Sequence, residues 1–268
     1  MNISSVLGKN WLSKNYNEET VNFLKDNFSF SEILSRLIAI RNIKLDEVKM
    51  FLNPKIKNLL PNPFILKDMD KTVDRTIKTI MKNEKIGIFG DYDVDGATSS
   101  ALLGNYFSEL KLDYEVYIPD RKKEGYGPSI KSFEKLINKN VKVIFTVDCG
   151  TLSFDAMQYA KEKKIDVIVL DHHQSEIKLP NAFSVVNPNR LDDKSNLQYL
   201  CAAGVAFMFL VSLNRELRLL NWFKKNNTHE PNLMNYLDLV SLGTICDVVP
   251  LIGLNRAIVK QGLKIIKS

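Results

Sequence analysis

Short apolar runs alternate with helical stripes through the middle of the chain. The runs at 85–90, 114–118, 141–147, 166–170 and 183–186 have strand length and end in glycine or polar residues, which predicts buried strands. Segments near 97–110, 129–138 and 152–163 place apolar residues at helical spacing and lie between the first four runs. This alternation predicts an α/β fold, a doubly wound, mainly parallel five-stranded sheet flanked by helices. Residues 1–80 carry helical patterning with no obvious strand and form a helical N-terminal region. Phe51-Leu52-Asn53-Pro54 closes a segment there, Pro61-Asn62-Pro63 breaks the next, and 68–81 reads as a helix leading into the first strand. Residues 81–253 form the α/β domain, whose pattern turns helical again after about 187.

Composition narrows the class only a little. A chain of 268 residues with 45% hydrophobic and 25% charged content is ordinary for a soluble globular protein, and a cytoplasmic location is expected. The net charge of +6 permits a polyanionic partner, but the lysines are scattered. No apolar run approaches the ~20 residues of a membrane span, and no membrane partner is expected. Cys149, Cys201 and Cys246 form no C-x-x-C pair and read as buried free thiols rather than zinc ligands.

The chemistry lies where the strands end, which is where ligand sites form in such sheets. The first strand runs into Gly90-Asp91-Tyr92-Asp93-Val94-Asp95-Gly96, the third into Val147-Asp148-Cys149-Gly150, and the fourth into Leu170-Asp171-His172-His173. Two carboxylates about 4 Å apart repel by roughly 4 kcal/mol at an effective dielectric near 20, so three on alternate residues call for a cation or a shared proton. A calcium EF-hand opens with the same acids but needs a bidentate Glu at its twelfth position, which here is Leu102. Asp93-Val94-Asp95-Gly96-Ala97-Thr98 also resembles a haloacid-dehalogenase-type phosphotransferase, which leaves the histidine pair unexplained. His172 and His173 offer one imidazole to a metal and one to a substrate oxygen, with Asp171 able to orient a ring. Asp247 stands in the apolar run Thr244 to Leu251, where a carboxylate without a partner is costly, so the rim's cation is a candidate partner. Mixed carboxylate and imidazole donors suit Mn²⁺, with Mg²⁺ possible.

Together these motifs, in this order, resemble the DHH phosphoesterases, and within them the single-strand-specific 5′→3′ exonucleases. Gly243-Thr244-Ile245-Cys246-Asp247 completes the set, and Ile118-Pro119-Asp120-Arg121, Gly125-Tyr126-Gly127, Asn187-Pro188 and Gly204-Val205-Ala206-Phe207 add to it. The resemblance implies two metal ions bridged by Asp148, with Asp91, Asp93 and Asp95 from the first strand and His172 and Asp247 completing the shell. It implies that His173, beside Asp171 and Asp148 in the catalytic set, stabilises charge on the phosphate. Arg121, Lys122 and Lys123 are the candidates for steering substrate phosphates. The implied reaction is hydrolysis of single-stranded DNA from its 5′ end to nucleoside 5′-monophosphates, in repair and recombination. Implied partners are a single-strand-binding protein and a RecQ-type helicase, with the enzyme a monomer. A phosphodiesterase of short oligonucleotides or cyclic dinucleotides and a non-catalytic DNA-binding scaffold are the alternatives. Phe89 stands where many of these enzymes carry a histidine, and Asp91 is the candidate substitute. Residues 254–268 would begin a helix connecting to a second domain that this chain lacks.

Overall fold

The computed structural model describes residues 3–267 and divides into two compact units, one through Lys55 and one from Ile56. In the first, β1 (Ile3–Ser4) and β2 (Asn10–Trp11) pair antiparallel, and α1 (Glu18–Phe28), α2 (Glu32–Ile40) and α3 (Val48–Leu52) follow. Asn17 caps α1 by accepting from Thr20 N at 2.9 Å, and Ser31 caps α2. Leu24, Ile38 and Val48 form the core of this unit. The sequence pattern shows no strand here, because two-residue strands are too short to display an alternating period.

The second unit begins with α4 (Ile56–Leu59) and α5 (Met69–Met81). The sequence pattern places a boundary near residue 80, but α5 belongs to this unit, packed beside the sheet. Thr72 Oγ1 donates to Ser184 Oγ at 2.7 Å, and Arg75 pairs with Asp166 and Glu84. Next come β3 (Ile86–Gly90), α6 (Val94–Glu109), β4 (Tyr114–Tyr117), α7 (Arg121–Glu124), α8 (Ile130–Ile137), β5 (Val143–Val147), α9 (Phe154–Glu162), β6 (Asp166–Leu170) and β7 (Ser184–Val186). The unit closes with α10 (Ala202–Leu219), α11 (Trp222–Lys225), α12 (Leu237–Cys246) and α13 (Gly253–Ile266).

The five strands lie in the order β4-β3-β5-β6-β7, all parallel, as the alternation predicts. Both faces are covered, so the strands read as continuous apolar runs. Ile86, Ile88, Val143, Phe145 and Val147 join the core shared with α5, α6 and α10, and Phe89, Ile144, Val167 and Val169 join that of α8 and α9. The chain leaves β3 to one side for β4 and returns to its other side for β5, so the switch in strand order falls beside β3. The last helix does not leave the unit: a Cβ at Gly262 of α13 would fall 1.8 Å from Ser241 Oγ on α12, so the two backbones lie close. Among the described residues, no helix is long and apolar enough to cross a membrane.

Candidate metal centre

Strand register sets the site. Gly90 pairs with Val147, Val147 with Leu170, and Leu170 with Val186, so these residues stand level across four strands. The next residue on each strand is therefore level too: Asp91, Asp148, Asp171 and Asn187. The ladder extends one bond further to hold them, from Asp91 N to Val147 O at 3.3 Å, Asp148 N to Leu170 O at 3.1 Å, and Asp171 N to Val186 O at 3.1 Å. Asp148 then turns with φ 61°, a left-handed conformation that Asp tolerates better than most residues.

The loop after β3 turns into α6 earlier than the helical stripe alone predicts. Asp93 caps the helix by accepting from Gly96 N at 3.0 Å, which places Asp95 within the first turn. A Cβ at Gly96 would come within 2.4 Å of Asp91 O, so the turn requires glycine. Asp95 is buried and accepts from Ala202 N at 2.6 Å and Ala203 N at 3.0 Å, capping the start of α10. Asp247 joins the site from the end of α12.

The result is one cluster. His172 Nε2 lies 3.3 Å from Asp148 Oδ1, 3.6 Å from Asp247 Oδ2 and 3.8 Å from Asp95 Oδ2. Ligand atoms lie within 4.8 Å of one another in three overlapping groups: Asp148, His172 and His173; Asp95, His172 and Asp247; Asp91, Asp93 and Asp148. Asp148 and His172 each belong to two groups, and of the two only the carboxylate, with its two oxygens, could be shared between two cations. Asp91 Oδ1, Asp148 Oδ1, His172 Nε2 and Asp247 Oδ2 are buried and lack a hydrogen-bond partner. Buried polar atoms are rarely left unpaired. Four in one cluster fit a bound divalent cation.

Asp171 has another task. Its Oδ1 accepts from His172 N at 2.7 Å, His173 N at 3.2 Å and His173 Nδ1 at 2.7 Å, and its Oδ2 accepts from Thr151 N at 3.1 Å. With its oxygens committed, it orients His173 rather than offering a free edge to a cation.

Electrostatics separates the carboxylates in the same way. Burial pushes Asp148 up to about 10, helped by the charges of Asp95 and Asp93. Burial also raises Asp91, Asp95 and Asp247. Burial would raise Asp171 too, but the hydrogen bond and charge of His173 and the Thr151 contact hold it at about 2. The Asp171 hydrogen bond in turn raises His173 above the ordinary imidazole range. Crowded acids that resist ionisation, beside one that stays ionised, form a site whose charge a divalent cation would balance.

A family model described as the DHH family, N-terminal domain, matches residues 85–244. The chain belongs to the DHH family. It is 38% identical over 237 residues to the single-stranded-DNA-specific exonuclease RecJ of Haemophilus influenzae, covering 88% of this chain and 40% of that protein. A crystal structure of exonuclease RecJ bound to manganese aligns with TM-score 0.63 and 32% identity, over 74% of this chain and 48% of that one. Another, of RecJ from Thermus thermophilus in complex with Mn²⁺, aligns with TM-score 0.70 and 26% identity, over 92% of this chain and 33% of that one. The chain thus spans well under half the length of the curated relatives it matches, 40% for the Haemophilus influenzae protein and 30% for that of Bacillus subtilis.

Other sequence-derived candidates in this DHH domain lie around the cluster. Phe89 is buried in the core with α8 and α9 and stacks on Tyr117 with ring centroids 5.8 Å apart, whereas Asp91 offers a ligand atom beside Asp93 and Asp148. Arg121 packs its guanidinium 5.0 Å from the ring of Tyr92 in the acidic turn, while Lys122 and Lys123 are exposed on α7 and Lys123 pairs with Asp120 at 3.7 Å. Cys149 and Cys201 are buried, but Cys246 is exposed, contrary to expectation. The buried stripe of α12 runs through Leu237, Val240, Ser241 and Thr244, and residue 246 falls off that stripe.

Residue chemistry alone gave no role to Tyr126, Thr151, Asn187 or Asn189. Tyr126 Oη lies 3.4 Å from both ring nitrogens of His173 and 3.3 Å from Asp148 O. With Pro128, Ile130 and Leu152 it lines a cleft of about 670 Å³ that opens beside Asp171 and His173, with Lys131 at the rim. The one signal for Tyr126 was the pair of glycines flanking it.

Proposed function

We propose that this chain carries the metal centre of a nuclease that hydrolyses phosphodiester bonds of single-stranded DNA from the 5′ end, releasing nucleoside 5′-monophosphates. The observation that carries this reading is the convergence of four buried ligand atoms without a hydrogen-bond partner in a DHH domain: Asp91 Oδ1, Asp148 Oδ1 and His172 Nε2 just beyond strand ends, and Asp247 Oδ2 at the end of α12. Asp91, Asp93, Asp95, Asp148, His172 and Asp247 would hold two Mn²⁺ or Mg²⁺ ions, with Asp148 shared. Such a pair of cations supplies charge stabilisation to the attacking and leaving oxygens of an in-line displacement at phosphorus.

The chain's own residues do the rest. His173, held by Asp171 and raised in basicity, presents its Nε2 as a donor to a phosphate oxygen. Arg121, fixed over Tyr92, supplies a delocalised cation at the edge of the acidic turn, and Lys122 and Lys123 extend that positive edge. The cleft walled by Tyr126, Ile130 and Leu152 gives an apolar resting place for a nucleoside next to His173, and limits water there. Relatives named as single-stranded-DNA-specific exonucleases support the substrate class. The same proposal covers a role in repair and recombination beside a single-strand-binding protein and a RecQ-type helicase, with the enzyme a cytoplasmic monomer.

The test is a nuclease assay with Mn²⁺ on 5′- and 3′-end-labelled single strands, beside dinucleotides, with Asp148→Ala as the paired variant. Wild type is expected to release mononucleotides from the 5′ end, and the variant to lose the activity by several orders of magnitude. Equal release by both proteins would remove Asp148 from the mechanism, and release from dinucleotides alone would replace the substrate.

A further inference from the structure

The segment bearing the histidine pair has no regular structure of its own, since residues 171–175 leave β6 as open chain. Side chains satisfy its backbone instead. Asp171 Oδ1 takes the N–H groups of His172 and His173. The carbonyls are taken by two asparagines that follow β7. Asn187 Nδ2 donates to His173 O at 2.8 Å and to Thr151 Oγ1 at 2.9 Å, and Asn189 Nδ2 donates to His172 O. Asn187 Oδ1 accepts from Asn189 N at 2.8 Å, which locks both amides into a single turn. Asn187 is fully buried and is the fourth member of the level row that contains Asp91, Asp148 and Asp171. A buried amide with its donors and acceptor all engaged has one orientation available to it.

We propose that Asn187 and Asn189 are positioning residues for the metal centre. By fixing the two carbonyls of His172-His173 they aim His172 Nε2 at Asp148 and Asp247 and keep His173 Nδ1 on Asp171. The inference rests on the reading of this cluster as a divalent-cation site. Its physical basis is preorganisation: without the clamp the open segment samples other backbone conformations, and cation binding must then order it. Thr151 closes the circuit, because its N–H holds Asp171 while its hydroxyl accepts from Asn187. The asparagine clamp therefore also acts through the aspartate that orients His173.

The test measures cation binding, not catalysis. Mn²⁺ is titrated into the metal-free protein and free Mn²⁺ is followed by electron paramagnetic resonance, for wild type, Asn187→Ala, Asn189→Ala and Asn189→Gln, with the melting temperature of each metal-free protein measured alongside. Asn189 is only half-buried, so its variants are expected to fold even if Asn187→Ala does not. The expected result is Mn²⁺ affinity about 10–100-fold weaker for Asn189→Ala at a nearly unchanged metal-free melting temperature, the usual consequence of removing a partner that orients a ligand. Asn189→Gln keeps an amide donor and is expected to recover part of the loss. Wild-type affinity in a folded Asn189→Ala protein overturns the proposal. A wild-type chain that takes up no Mn²⁺ overturns the metal reading itself, and this proposal with it.

Discussion

Gly243 faces Asp95 so closely that a Cβ on it would stand 2.6 Å from Asp95 Oδ1, and 2.7 Å from Thr98 Oγ1. This approach of α12 to α6 carries Asp247 to His172 across the fold. Gly243→Ala must therefore push α12 outward or turn Asp95 off the Ala202 and Ala203 amides. The expected cost is about 1–3 kcal/mol of stability, as for other overpacked cores, with Mn²⁺ binding weakened. Urea unfolding of the metal-free protein reads the first effect and Mn²⁺ titration the second. A stable variant with unaltered cation affinity would show that the contact has slack.

Asp148 is expected to show opposite effects on stability and on cation binding. Its carboxyl is buried and pushed up to about 10, so the metal-free fold resists its ionisation. Asp148→Asn keeps the shape and removes that burden. At neutral pH without metal, the variant is expected to be more stable than wild type, because the unfolded chain ionises this carboxyl and the metal-free fold does not. Its melting temperature should no longer rise on adding Mn²⁺, whereas saturating cation at about 100-fold over the Kd would stabilise wild type by about 2.7 kcal/mol. Denaturant midpoints with and without Mn²⁺ decide the matter, and a less stable metal-free variant would show that Asp148 is not a strained carboxylate.

How much of this was legible in the sequence depends on what each residue acts through. The five strands could be read because burial on both faces turns them into apolar runs, and their order placed three motif-bearing ends on one rim. Asp91, Asp148 and Asp171 stood out because an acid directly after an apolar run is a sharp change of chemistry. Asn187 lies in the same row, yet an Asn-Pro pair after a strand reads as a turn and says nothing about His173 O. The contacts of Tyr126 and Thr151 could not be read either, since their partners are distant in sequence. The division at Lys55 was missed because the apolar stripe of α5 looks the same whether it covers a sheet or a separate helical layer.

The pH dependence of the metal-free protein should be unusual in direction. Asp91, Asp95, Asp148 and Asp247 all have pKa values raised by burial, so the native state binds their protons more tightly than the unfolded chain does. Their contribution is fully present below the ordinary carboxyl range near ~4 and declines as pH rises toward the raised values. His173, also raised, adds stability below ~6.5 that is lost as pH rises through its folded pKa. Asp171 works the other way, with stability present above ~4 and lost as pH falls toward about 2. Without metal, melting temperature is therefore expected to be higher near pH ~5.5 than near pH ~8.5. Saturating Mn²⁺ should reverse that order, because cation binding displaces the protons. Thermal melts at the two pH values, with and without Mn²⁺, give the four numbers needed, and a metal-free protein more stable at the higher pH would contradict the raised carboxyls.

Directly after Asp247 the backbone takes a left-handed turn at Val248, with φ 59°. The turn ends α12: Asp247 N donates to Gly243 O at 2.9 Å and Val248 N to Ile245 O at 3.2 Å. It lets the helix stop with the carboxylate of Asp247 still aimed at His172. A β-branched residue there costs roughly 1–2 kcal/mol relative to a relaxed backbone. The side chain of Val248 is 85% exposed, so no packing offsets that cost. Val248→Asn, which tolerates the left-handed region, is expected to raise stability by about 1 kcal/mol while leaving the Mn²⁺-induced shift unchanged. Val248→Gly should gain less, because glycine adds entropy to the unfolded chain. Denaturant unfolding of the three proteins without metal ranks them. If Val248→Asn falls below wild type, the turn is not strained, and the aim of Asp247 must be held by the packing of α12 on α6 alone.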